Sequence, residues 1–381
     1  MEIGLIGKPS SGKSSFFKAA TMNDVDIDAR PFTTIKPNVG IAYVTVDCIE
    51  KEFNVKCNPK HGKCVNGKRY IPVKLWDIAG LVPDAHLGKG LGLKFLDDIR
   101  QADVLIHVVD ISGKTDAEGN PTNNYDPSKD IEFVENEIDE WFYEIIKRAI
   151  EKYNTKIRTS KIDLKDVLHE QLSGLNISKE VIAETIEKVG FDDLRKLAVE
   201  IRKMSKPIII AANKIDVNGS EKNYDALKQK HQNIIPVSSL AEIILSKLSF
   251  EGKIDYNGKD FKIIGNIDEN MRKALDIIKN MIGKYGSTGV QDCLNKAVFD
   301  LLGYIVVYPV ADANKLTDNK NNILPDAFIV KRGIKLKEFA YIIHTDIGDK
   351  FIGGIDARKK IKLSGDYELK NNDVIEILVK R

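Results

Sequence analysis

The chain has 381 residues, 43% of them hydrophobic and 30% charged, which makes it globular and long enough for two or three domains with cores of their own. A formal net charge of +2 excludes a protein that holds nucleic acid by bulk charge, so any basic surface must be local. Its four cysteines, Cys48, Cys57, Cys64 and Cys293, are too few and too uneven for a disulfide scaffold, and reduced thiols are expected.

Met1 leads directly into the strand-like "EIGLIG", without a basic and apolar leader, and no apolar run approaches the roughly 18 residues of a membrane span. A cytoplasmic location is therefore expected. The next segment, "GKPSSGKS", lies between that strand and the helical "SFFKAAT", the context a phosphate-binding loop needs. Gly7 and Gly12 let the backbone turn its amides toward phosphates, Lys13 reaches the outer phosphates, and Ser14 offers a hydroxyl to Mg²⁺. The whole loop, with Lys8, Pro9, Ser10, Ser11 and Ser15, is expected to line a nucleotide.

The apolar run "IPVKLWD" delivers Asp77, and soon after it Gly80, to the place where such enzymes meet magnesium and the reacting phosphoryl group. Leu81 follows where the best-known nucleotide switches carry a water-orienting glutamine. A third run, "ADVLIHVVD", places His107 inside a strand as a buried histidine. An interval of nearly a hundred residues comes next, too long for a crossover. In it Ile131, Val134, Ile138, Phe142 and Ile145 recur at helical spacing, which predicts a helical insertion.

The fourth run, "KPIIIAANKID", ends in Asn213, Lys214 and Asp216. A carboxylate there accepts from the ring N–H and exocyclic amine of guanine, whereas adenine presents an acceptor nitrogen. "VSS" ends the fifth run and brings Ser238, Ser239 and Leu240 over the base, the last two through their amides. Helices are predicted around Met271–Ile282 and Val290–Leu302. From Tyr304 the pattern changes to "YIVVYPV", a polar loop, "FIVKRG", the helical "LKEFAYIIH" and a closing "DVIEILVKR", which reads as a small separate β-rich domain.

With "RPFTTIKPNVG" and "DIAGLVPDAHLGKGLGLKFLDDIRQADVLIHVVD" added, nearly the whole chain resembles the Obg superfamily of translation-factor-related GTPases, in particular archaeal proteins related to the YchF branch. The resemblance implies an α/β P-loop NTPase fold: an OBG-type G domain over 1–303, with a helical insertion at about 120–204 where relatives carry a helical hairpin, and an α+β TGS domain over 304–381. It makes Thr34 the switch threonine that ligands Mg²⁺, Asp77 a further magnesium carboxylate, and the Gly80 amide a contact of the γ-phosphate. It implies an apolar residue such as Leu81 in place of the glutamine, hence slow intrinsic hydrolysis of GTP to GDP and phosphate. His86 is the local side chain able to orient water or donate to phosphate.

Two departures shape the reading. Relatives of the YchF branch usually lack the acidic base reader and accept ATP, so Asp216 points to guanine. Ser10 and Ser11 stand where many members carry a phosphate-loop asparagine, which argues against potassium-assisted catalysis. Cys48, Cys57, His61 and Cys64 are irregularly spaced, and packed or exposed thiols are expected there rather than zinc. Two basic clusters, Lys331, Arg332, Lys335 and Lys337, and Arg358, Lys359, Lys360 and Lys362, suit RNA phosphates if they share one face. The expected function is a monomeric, ribosome- or RNA-associated GTPase switch. The alternative is a nucleotide-gated stress or redox regulator that acts by binding protein and also accepts ATP.

Overall fold

The computed structural model describes residues 1–21, 38–78, 98–158, 163–175 and 177–380. The chain forms two compact units: one takes the N-terminal loop and helix together with Lys74–Cys293, the other takes Ile41–Val73 together with the chain from Leu294 on. This division differs from a single cut at 303/304. Within the second unit the Asn58 amide donates to the Ile323 carbonyl at 2.8 Å, and the fully buried Arg69 donates to the Leu324 and Pro325 carbonyls, so the early segment folds with the late one.

In chain order the first strands are β1 (Glu2–Ile6), β2 (Val39–Asp47), β3 (Lys63–Val65), β4 (Lys68–Asp77), β5 (Val104–Asp110), β6 (Ile208–Asn213) and β7 (Ile234–Val237). The sheet of the first unit runs β4-β1-β5-β6-β7, and every neighbouring pair in it is parallel. All seven residues of β5 are buried, as a central parallel strand covered on both faces requires, which is why "VLIHVVD" shows no alternation. Helix α1 (Lys13–Thr21) follows β1 directly. The sheet adds β4 on one side of β1 and β5 on the other, so the loop after β1 opens at a topological switch point, the usual ligand crevice of such sheets.

Among its described residues the insertion contains four α-helices rather than a hairpin: α2 (Ser128–Arg158), α3 (Leu164–Leu172), α4 (Lys179–Val189) and α5 (Leu194–Ser205). Asp163, Ser178 and Asp193 accept amide hydrogens at the starts of the last three, which divides the segment into separate helices. Val134, Ile138 and Phe142 of α2 pack with Leu168, Ile182, Leu197 and Ile201, the face the spacing predicts. Helices α6 (Ser220–Lys228) and α7 (Ser239–Phe250) flank β7; a hairpin of β8 (Ile254–Tyr256) and β9 (Phe261–Ile263) precedes α8 (Glu269–Tyr285) and α9 (Val290–Asn295).

In the second unit, β10 (Tyr304–Val310), β11 (Phe328–Lys331), β12 (Phe351–Asp356), β13 (Lys362–Leu363) and β14 (Asp373–Val379) form a mixed sheet in the order β11-β10-β14-β12-β13. Ile305, Val307, Val330 and Ile375 bury against Leu336 and Phe339 of α10 (Leu336–Ile343).

Candidate functional site

The loop Gly7–Gly12 leaves β1 and feeds α1, whose first-turn amides have no acceptor inside the helix and so face an incoming anion. Gly12 sits at φ +90°, and a Cβ there would lie 2.2 Å from Asn213 Nδ2, so both conformation and space demand glycine. The approach is close because Asn213, 3% exposed, donates from Nδ2 to the Ser11 carbonyl at 3.0 Å. Its Oδ1 accepts from the Ser239 amide at 3.1 Å and from Ser239 Oγ at 3.0 Å. One side chain thus ties the phosphate loop, the end of β6 and the start of α7 together.

Lys214 makes the second tie. Its Nζ donates to the Ser10 carbonyl at 2.8 Å and to Asp110 Oδ2 at 2.7 Å. Ser10 at φ +60° and Lys214 at φ +65° are both left-handed, a cost that non-glycine residues bear where surrounding contacts hold them. Burial pushes the Asp110 carboxyl up, but hydrogen bonds from Lys214, Ser112 and Thr115 outweigh it and hold the group below its ordinary value. Asp216 is half-buried, and its carboxylate has no hydrogen bond or ion pair among the described residues. It is therefore available to a ligand.

Lys13 forms an ion pair with Asp77 at the end of β4. Ser14 and Ser15 are exposed on the first turn of α1, and Pro9 and Ser10 are exposed in the loop. Ser11 Oγ is buried with no partner among the described residues.

Three of the expected residues act differently from the sequence reading. The Lys8 ammonium turns away from the loop's open side: it pairs with Asp130 of α2 at 2.8 Å, donates to the Thr115 carbonyl at 2.9 Å and lies over the Tyr125 ring. Only its backbone is left to meet a phosphate. Ser238 Oγ caps α7 by accepting from the Ala241 amide at 3.2 Å, and the Ser239 amide is spent on Asn213, so Ser239 serves the site through Asn213 rather than by touching a base. Leu240 is 59% exposed on the first turn of α7. Thr34, Gly80 and His86, with Leu81, lie outside the described residues.

Sequence reasoning missed Asp110 and the Lys8–Asp130 pair. Asp110 had a signal, a carboxylate closing a fully buried parallel strand next to β6. Asp130 had none, since it lies in a polar stretch whose contact with the loop is purely tertiary. The same holds for Gly119, whose Cβ would lie 2.8 Å from the Pro9 carbonyl oxygen.

His107 is 1% exposed, and burial pushes it down to about 3, so it stays neutral in the strand. In the second unit Lys331, Arg332 and Lys337 are exposed, and Lys335 reaches Asp366 at 3.2 Å. The other basic cluster is partly spent: Arg358 pairs with Glu52 at 2.5 Å, and Lys360 donates to the Ala313 carbonyl at 2.6 Å.

Comparison with known proteins agrees with this geometry. Residues 2–150 match the family described as 50S ribosome-binding GTPase, residues 211–312 the Obg-like GTPase YGR210-like, G4 motif-containing domain, and residues 320–379 the TGS domain. A GTP-binding protein of Methanocaldococcus jannaschii is 51% identical, with 99% of this chain and 98% of that protein covered. A ribosome-binding ATPase YchF of Bacillus subtilis is 29% identical over 98% of this chain and 97% of its own length. Among solved structures, a GTP-binding protein from Pyrococcus horikoshii matches all of both chains with a TM-score of 0.80 and 38% identity.

Proposed function

From the premise that the chain belongs to the YchF-like branch of the Obg family of GTPases, we propose that it binds guanine nucleotide in the Gly7–Ser15 loop and hydrolyses GTP to GDP and phosphate. The observation that carries the guanine reading is the half-buried carboxylate of Asp216, unpartnered among the described residues and next to Asn213 and Lys214, both of which are bound to the phosphate loop. A site built around a donor–acceptor match of this kind rejects an analogue lacking the donors by roughly 10⁴ or more. The YchF relatives named as ATPases are therefore not a guide to this chain's base preference.

Mg²⁺ fits the residues present, because Ser14 stands exposed at the helix start and the Asp77 carboxylate is held beside the loop by Lys13. Ser14, Asp77 and Thr34 would hold it, and it would neutralise charge on the phosphates. Lys13 supplies the fixed positive charge on the outer phosphates, and the α1 amides add theirs without reorganisation. Leu81 contributes no polar group, so hydrolysis is slow, with water positioned by backbone groups, His86 or a partner.

We place the G domain at 1–303 and the TGS domain at 304–381, with nucleotide state governing attachment to the ribosome, as the names of the bacterial relatives suggest for those proteins. The exposed Lys331, Arg332 and Lys337 are the basic group best able to meet RNA phosphates. The deciding experiment measures affinity for GTP and ATP side by side in Mg²⁺ buffer, then sedimentation with ribosomes with and without a non-hydrolysable GTP analogue. At least tenfold tighter GTP binding is expected; equal affinity for ATP overturns the base assignment, and nucleotide-independent or absent sedimentation overturns the switch.

A further inference from the structure

The hairpin region between β2 and β4 holds the most concentrated set of metal-ligating groups among the described residues. Cys48, Glu50, Cys57 and Cys64 offer four ligand atoms that all lie within 4.8 Å of one another. The Cys48 and Cys57 sulfurs are 3.7 Å apart, and Cys64 Sγ is 3.4 Å from Glu50 Oε1. A tetrahedral zinc ion with Zn–S of about 2.3 Å and Zn–O of about 2.1 Å has S···S edges near 3.8 Å and S···O edges near 3.6 Å. These two edges lie within about 0.2 Å of those lengths. The sulfurs are too far apart to be bonded to each other, and all the cysteines here are free thiols among the described residues.

We propose that Cys48, Glu50, Cys57 and Cys64 form a structural zinc site that fastens the 48–64 loop within the second unit. The sequence reading set zinc aside on the irregular spacing of Cys48, Cys57, His61 and Cys64; in the fold His61 is exposed and outside the cluster, whereas the short helical turn Ile49–Lys51 brings Glu50 beside the thiols. Glu50 is already prepared for the role. Its Oε2 accepts from the Cys57 amide at 3.0 Å, which leaves Oε1 turned toward Cys64.

Arg69 stands opposite Cys64 in the β3–β4 register, which puts both side chains on one face. Three thiolates and a carboxylate around Zn²⁺ leave the site with an excess of two negative charges, which the buried Arg69 guanidinium partly offsets. Metal uptake would release the thiol protons, because the thiolate is the ligand.

The site would be structural rather than catalytic, since all four positions are protein ligands. Its effect is on docking. The same loop sends the Asn58 amide to the Ile323 carbonyl at 2.8 Å, the Lys60 amide to the Pro325 carbonyl at 3.0 Å and the Lys60 ammonium to Asp318 at 2.5 Å. Closing the loop on a metal fixes the groups that hold residues 318–325.

The test uses the full-length chain, purified with reductant, stripped of metal and titrated with Co²⁺ and then Zn²⁺. One Co²⁺ per chain is expected, with a thiolate-to-metal charge-transfer band and the intense visible bands of a tetrahedral site, both removed by Zn²⁺. His61→Ala should keep the full spectrum. Glu50→Gln should keep the charge-transfer band while affinity falls by roughly tenfold or more, and Cys57→Ser should lose more. Absence of the band in the unmodified chain overturns the site even if the cysteine variants fail to fold. Loss of the band in His61→Ala, or a Cys48–Cys57 disulfide in protein isolated without reductant, also overturns it.

Discussion

Asn213→Ala is the sharpest test of how the nucleotide site is built. Truncation removes the donor to the Ser11 carbonyl and the acceptor for the Ser239 amide, groups that belong to residues 0% and 1% exposed. Each stranded buried group costs about 1–3 kcal/mol, while Ser239 Oγ escapes by rotating, so the two together come to about 3 kcal/mol. In the empty protein the loosened loop can take water, because Pro9 and Ser10 are exposed. A bound nucleotide covers the loop and restores the cost, so most of it should appear as affinity, roughly a hundredfold weaker GDP binding at 1.4 kcal/mol per tenfold. Asn213→Asp keeps the Ser239 contacts and sets a carboxylate oxygen against the Ser11 carbonyl. It should therefore be at least as damaging as alanine despite its matching shape. The assay is calorimetric or fluorescence titration with GDP in Mg²⁺ buffer, with urea unfolding in parallel to establish that the variants fold. GDP affinity within threefold of the parent in a folded Asn213→Ala protein would refute the claim that this side chain holds the loop to the base-reading strand.

Asp216→Asn should erode the preference for GTP over ATP in side-by-side titrations without changing stability, because the carboxylate has no partner among the described residues. Lys8→Ala should lower urea stability by about 3–5 kcal/mol by leaving Asp130 buried and uncompensated, and Lys8→Met with Asp130→Asn should recover at least half of that loss. His107 has its folded pKa depressed to about 3 from 6.5, so the unfolded chain takes up its proton first as pH falls. Its contribution therefore lowers stability by about 1.4 kcal/mol per pH unit between those values, and His107→Leu should show a shallower acid loss in urea midpoints measured against the parent. Deleting 304–381 would strip Ile41–Val73 of its packing partners, so the basic face is better tested by Lys331→Glu, Arg332→Glu and Lys337→Glu together. Ribosome association should weaken and lose salt dependence, with GTP hydrolysis by the isolated protein unchanged.

Local chemistry made much of this protein legible in the sequence. The phosphate loop shows itself because glycines, lysine and serine must stand at fixed offsets between a strand and a helix. β5 shows itself because a strand covered on both faces tolerates almost no polar residue, and α2 because one face must meet the core every three or four residues. The proposed guanine role of Asp216 could be reached from sequence for a similar reason, since hydrogen-bond complementarity is a property of a residue type and not of its neighbours. Tertiary structure decided whatever depends on residues distant along the chain. Only folding could show that the Lys8 ammonium belongs to Asp130, that the Ser239 amide is spent on Asn213, and that Arg358 and Lys360 are engaged internally. It also assigned Ile41–Val73 to the C-terminal unit and put Glu50, rather than His61, beside three thiols. Spacing reports which residues share a face of one element, whereas these pairings join separate segments, and which atom meets which is settled by the packing of the whole.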